Sequence, residues 1–243
     1  PGYTPPLSAY AVVRALAVET DLRRALLHDE LFVVYQPVVD LRSRRMVSVE
    51  ALVRWRHPER GLVSPIEFIS VADECGLIDA VGDLVLRKAC AQFVRWQRTL
   101  GAAAPRMLAV NMSRAQLKRV GLVDDVKELI AATGMAPEQL ELEVTETLAA
   151  QDERVQQTLR DRKGLGVHPA LDDFGIGFSN LSQLSRLPLD ILKIDRSLVQ
   201  DLGNDPRADA IVRAIVGMAH ALGCYVVAEG IETPAQRAKL TAL

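Results

Sequence analysis

Two adjacent carboxylates close the apolar run Ala170-Leu171-Asp172-Asp173-Phe174-Gly175-Ile176-Gly177-Phe178-Ser179-Asn180, where glycines permit a tight change of backbone direction. A strand that delivers two Asp side chains at its C-terminal end can hold a divalent cation for phosphoryl transfer. Ordinary turn chemistry accounts for the same pair equally well, because Asp side chains bond nearby backbone. Polar residues recur at the ends of other apolar, β-rich runs: Glu50, Asn111, Glu143, Lys193 and Glu229. Together with Asp172 and Asp173 they supply five carboxylates and one carboxamide, the hard oxygen set that Mg2+ or Mn2+ prefers. Such a group repels itself unless cations lie within it. Glu141 is read as a bystander that faces away from the neighbours of Glu143 or pairs with a surface arginine.

A scaffold must bring these strand ends together. Strands are expected at Leu31 to Val39, Met46 to Val53, Met107 to Asn111, Leu140 to Val144, a run ending at Asp172, Ile191 to Asp195, and Tyr225 to Glu229. Helical spacing of apolar residues marks Val12 to Leu27, Asp79 to Leu100, Arg154 to Arg162 and Ala208 to Leu222. Ser64-Pro65, Ser113 with Gln116, and Thr233-Pro234 supply helix starts. The short connection after Val39 makes the first two strands antiparallel neighbours. The βα alternation that follows calls for a parallel sheet covered by helices. A TIM-like (β/α) barrel with an antiparallel first strand pair fits best, ahead of an open doubly wound sheet. In a barrel the strand C-termini converge, so residues from 50 to 229 can meet in one mouth.

The chain has 243 residues, 49% of them apolar, and a formal net charge of -2. No basic run resembles a footprint for a nucleic acid polymer. No apolar stretch approaches the ~20 residues of a membrane span, and the start Pro1-Gly2-Tyr3 has no signal-peptide pattern, so a cytoplasmic domain is expected. His28, His57, His168 and His220 form no cluster with one another or with Cys75, Cys90 and Cys224, which argues against zinc. The cysteines read as reduced core thiols. Residues 1–20 read as a linker or lead-in from an upstream region, and residues 21–243 as the domain.

Six motifs in order carry a specific resemblance. Glu50-Ala51-Leu52-Val53-Arg54, Asn111-Met112-Ser113, Glu143-Val144-Thr145-Glu146, Asp172-Asp173-Phe174-Gly175, Lys193-Ile194-Asp195 and Ala228-Glu229-Gly230-Ile231-Glu232 are similar to those of the EAL-domain cyclic di-GMP phosphodiesterases of bacteria. The resemblance implies metal-dependent hydrolysis of cyclic di-GMP to linear pGpG with two Mg2+ or Mn2+ ions. It implies Glu50, Asn111, Glu143 and Asp172 as ligands of one metal, and Asp172 bridging to a second held with Asp173 and Glu229. Arg54 then contacts phosphate, Lys193 contacts the attacking water, and Glu146 braces the loop from Asp173 to Asn180. Either Lys193 or Glu229 is the general base. A homodimer through helices near that loop and an upstream regulatory domain are further family expectations.

Three departures qualify this reading. Ile176, Phe178 and Asn180 replace hydroxyl-bearing residues of the family loop, so an inactive cyclic di-GMP receptor or protein-interaction domain is the alternative. Pro169 falls within an expected strand, which predicts a bulge or a late strand start there. The chain ends at Leu243, before the family's last strand and its Gln-Gly-Tyr-like motif. The barrel is therefore expected to lack its final strand and the family's active-site glutamine.

Overall fold

The computed structural model describes residues 7–146, 153–175, 184 and 186–243, with residues 7–11 described by backbone alone. Strands β1 (Leu31–Val39) and β2 (Met46–His57) form an antiparallel hairpin. In its turn Asp40 Oδ1 accepts from the Ser43 amide at 2.6 Å, and Arg44 adopts φ 59°. The short β3 (Gly61–Val63) folds back onto the end of β2. The sequence pattern missed this strand and ended β2 near Val53. Burial of Trp55, edge-on to Phe68, extends β2 to His57.

Strands β4 (Met107–Asn111), β5 (Leu140–Thr145), β6 (His168–Phe174), β7 (Ile191–Ile194) and β8 (Tyr225–Ala228) then join in parallel. The path runs β1-β2-β4-β5-β6-β7-β8, with β3 to one side, and curls as the wall of a TIM-like (β/α) barrel. Among the described residues β1 and β8 are not paired with each other. The parallel strands are apolar along most of their length, as strands covered by helices must be.

The helices are α1 (Leu7–Leu27), α2 (Pro65–Glu74), α3 (Ile78–Leu100), α4 (Arg114–Lys118), α5 (Leu122–Thr133), α6 (Glu153–Lys163), α7 (Arg196–Gln200), α8 (Pro206–Ala221) and α9 (Pro234–Thr241). None is long and apolar enough to cross a membrane. Helix α1 runs through the expected boundary at residue 20 and buries Val18, Leu22 and Ala25. It is also anchored by polar contacts to β2. His57 Nδ1 accepts from the amides of Glu59 and Arg60, both at 3.1 Å, which leaves the proton on Nε2 to be donated to Asp21 Oδ2 at 3.1 Å. Trp55 donates to Glu30 at 3.0 Å.

The capping boxes at Ser113/Gln116 and Thr233/Gln236 form as expected. Ser64 stands at the start of α2 without a side-chain cap, and Glu67 turns instead to Arg14 and Arg60. Pro169 causes neither a bulge nor a late start. It is the second residue of β6, pairs with Leu142, and its carbonyl accepts from the Asp190 amide at 3.0 Å. The register instead breaks further along, between Leu171 and Phe174.

Candidate active site

Strand register puts the polar residues on one side of the wall. In parallel strands, partners in register face the same way, and successive residues alternate. Asn111 is partnered with Glu143 and Glu143 with Ala170, whose face Asp172 shares two residues on. Ala170 is partnered with Ile191, two residues before Lys193, and Lys193 with Val227, two residues before Glu229. Regular alternation would send Asp173 to the opposite face. The register break gives β6 one residue more than β7 between the pairs Leu171–Leu192 and Phe174–Ile194, and Asp173 adopts φ 56° within it. This bulge keeps both carboxylates at the mouth.

Lys193 stands at the centre. Its Nζ lies 2.7 Å from Glu143, 2.9 Å from Glu229, 3.1 Å from Asp172 and 3.3 Å from Glu50. Asn111 Nδ2 donates to Glu50 Oε1 at 2.8 Å, which closes the ring on the β4 side. Residues from five different strands or strand ends therefore meet around one ammonium. Burial alone would depress Lys193, but Glu143, Glu50, Asp172 and Glu229 together hold it well above the ordinary lysine value. Burial pushes Glu143 up to about 9, with Lys193 opposing and Glu50 and Asp172 adding to the rise. Burial also raises Glu229, and it raises Asp173 with help from Asp172 and Asp195.

The other site residues have distinct surroundings. Glu146 Oε2 accepts from the Gly175 amide at 3.4 Å, at the start of the loop after Asp173. Arg54 folds back so that Nη1 donates to the carbonyl of Val53 at 2.8 Å. Ile176, Phe178 and Asn180 lie outside the described residues.

Glu141 is not the solvated bystander the sequence suggested. It is only 4% exposed, and burial pushes its carboxyl up to about 7. The signal was available: Glu141 and Glu143 are two apart on one strand and must share a face. The sequence also gave no indication that Lys193 would pair with four carboxylates, because that depends on which strand ends adjoin.

Among the described residues no three carboxylate, imidazole or thiol groups are already disposed around an ion. The residues nevertheless suit a hard divalent cation. Their donors are oxygens throughout, they already enclose a positive charge, and Glu143 Oε2 is buried without a hydrogen-bond partner among the described residues.

The chain is similar to known proteins. The family model described as "EAL domain" matches residues 19–243. A protein of Caulobacter vibrioides called an uncharacterized signaling protein is 46% identical over 217 residues, covering 89% of this chain and 26% of that protein. The cyclic di-GMP phosphodiesterase NbdA of Pseudomonas aeruginosa is 44% identical over 239 residues, covering 96% of this chain and 30% of NbdA. The chain thus spans less than a third of the length of these two relatives. Among solved structures, PaMucR phosphodiesterase in complex with c-di-GMP superposes with a TM-score of 0.87 at 41% identity, covering 93% of this chain and 91% of that one.

Proposed function

From the premise that the chain belongs to the EAL domain family, we propose that it hydrolyses cyclic di-GMP to linear pGpG with divalent metal ions. The observation that carries this reading is the convergence of Glu50, Glu143, Asp172 and Glu229 on the buried Lys193 ammonium, with Glu143 Oε2 left without a partner among the described residues. The similarity to a named cyclic di-GMP phosphodiesterase, and to a structure holding that dinucleotide, supports the choice of substrate.

Glu50, Asn111, Glu143 and Asp172 would hold one Mg2+ or Mn2+ ion, and Asp172, Asp173 and Glu229 a second. Bound there, the ions supply Lewis acidity and a water activated near neutral pH. Lys193, kept protonated by its carboxylate neighbours, donates a hydrogen bond to the attacking water and offsets charge that develops on the phosphate. Glu229, 2.9 Å from Lys193 Nζ, stands beside the water that Lys193 would hold and takes the general-base role. Arg54 swings from the Val53 carbonyl to offer its planar guanidinium to a phosphate oxygen. Glu146 holds the backbone at Gly175, two residues beyond Asp173.

The test is incubation with cyclic di-GMP in the presence of Mg2+ or Mn2+, followed by chromatography. Accumulation of pGpG, abolished by a chelator, is expected. Measurable binding with unchanged substrate would replace the enzyme by a receptor. Turnover confined to generic phosphodiesters would overturn the choice of substrate.

A further inference from the structure

We propose that α7 is a brace that sets the separation of the carboxylate-bearing ends of β6 and β8, with Leu198, Arg196 and Gln236 as positioning residues for Asp173 and Glu229. The inference rests on the metal-ligand reading above.

At Gly175 and at Gly230 the backbone lies directly against side chains of α7. Gly175 follows two residues after Asp173 at φ 107°, and a Cβ there would come within 2.3 Å of Leu198 Cδ1. Gly230 immediately follows Glu229 at φ 68°, and a Cβ there would come within 2.4 Å of Arg196 Cγ. Each glycine is thus required both by its dihedral angle and by the side chain packed on it. The end of β7 ties the same backbone: Asp195 N donates to Phe174 O at 3.3 Å, and Glu229 N donates to Ile194 O at 3.0 Å.

Both ends of the helix are fixed. At its start Asp195 accepts from the Ser197 amide at 2.8 Å. At its end Gln236, 6% exposed, donates through Nε2 to the carbonyls of Val199 at 3.2 Å and Gln200 at 3.1 Å. The Oε1 of Gln236 accepts from the amides of Glu232 and Thr233, both at 2.9 Å, which joins the far end of α7 to the segment that follows Gly230. Helix, loop and Gln236 therefore form a closed mechanical circuit around Glu229.

The stem of Arg196 does the positioning, rather than its charge. Its guanidinium pairs with Glu232 at 3.0 Å, but the two side chains are 62% and 65% exposed, a setting in which an ion pair contributes little. Its Cβ, Cγ and Cδ all lie within 3.1 Å of the Cβ position at Gly230.

The test is calorimetric titration of the metal-free protein with Mn2+ alone, beside kcat and KM for cyclic di-GMP. Leu198→Ala and Gln236→Ala should weaken Mn2+ binding about tenfold or more, the loss typical of residues that orient metal ligands, and lower kcat more than KM. Arg196→Ala, at an exposed site that leaves folding intact, should do the same to a smaller extent. Leu198→Met and Arg196→Met keep the packing and should restore wild-type Mn2+ affinity. A role in stability alone would lower the Tm of the alanine variants while leaving their Mn2+ affinity unchanged at a temperature where all are folded, and that result would overturn the brace. Failure of the wild-type chain to bind Mn2+ would overturn the ligand reading and the brace together. Wild-type binding matched by both Leu198→Ala and Arg196→Ala would overturn the brace alone.

Discussion

Lys193 Nζ lies 2.7 Å from Glu143 Oε1, with the two side chains 3% and 1% exposed. Removing the ammonium leaves Glu50, Asp172 and Glu229 facing one another with no cation between them, and an uncompensated buried charge costs on the order of 3–5 kcal/mol. Lys193→Met should therefore lower the denaturation midpoint of the metal-free protein, and Mn2+ should recover part of the loss. An unchanged midpoint without metal would mean that Lys193 does not hold the carboxylates together.

Glu141→Gln should stabilise the metal-free protein at pH 8. Burial raises Glu141 from 4.5 to about 7 and Glu143 from 4.5 to about 9. A carboxyl with a raised folded pKa binds protons more tightly in the folded state, so stability is intact below about pH 4.5 and falls as pH rises through the folded values. The contribution of Lys193 has the opposite charge but the same direction of shift, and is full until pH exceeds its ordinary 10.5. The Tm of the wild type should therefore decline from about pH 5 to 9. The amide at position 141 should flatten the lower part of that decline and add roughly 3 kcal/mol at pH 8. Parallel curves for wild type and variant would show that Glu141 does not titrate in this range.

Gly82→Ala should destabilise the protein by about 1–3 kcal/mol through overpacking. A Cβ at Gly82 would stand 1.9 Å from Gln116 Nε2, while Gln116 Oε1 caps α4 at Ser113, two residues beyond Asn111. A double-mutant cycle with Gln116→Ala measures the clash. Strictly additive effects of the two substitutions would show that α3 yields without strain.

Arg162→Met should raise the Tm. Arg162 is 1% exposed on the inner face of α6, its three guanidinium nitrogens have no hydrogen-bond partner among the described residues, and burial lowers it to about 10, so it is still charged at neutral pH. Replacing an unpartnered buried charge by an apolar chain of similar length should gain on the order of 1–3 kcal/mol. A lower Tm would point to an acceptor for this guanidinium.

Glu50→Ala and Asp172→Ala should each reduce turnover of cyclic di-GMP more than about a hundredfold, beyond the usual loss from residues that merely support metal ligands. Either variant retaining near wild-type kcat/KM would remove that residue from the site.

Much of this was legible in the sequence because strand ends carry their chemistry in local patterns. The runs ending at Asn111 and Glu143, the capping box at Ser113, and the order of the motifs needed no tertiary information. The long-range features did need it. The extension of β2 to His57 follows from what Trp55 packs against, and the close approach of Gly82 to Gln116 follows from how α3 meets α4. The face of Glu141 was misjudged through neglect of two-residue alternation along β5, which does lie in the sequence. The contacts of α7 were hidden because glycines such as Gly175 and Gly230 announce a turn without saying which side chain will fill the space they leave.

The extra residue between Leu171 and Phe174 bears on any attempt to transplant this centre. An idealised barrel built with uninterrupted strands could accept Glu50, Asn111, Glu143, Lys193 and Glu229 at matching heights, yet it would present only one carboxylate from the sixth strand. Copying side chains alone would thus yield half of the acidic pair. The irregularity, with the left-handed backbone at Asp173, has to be grafted as a part of the site in its own right.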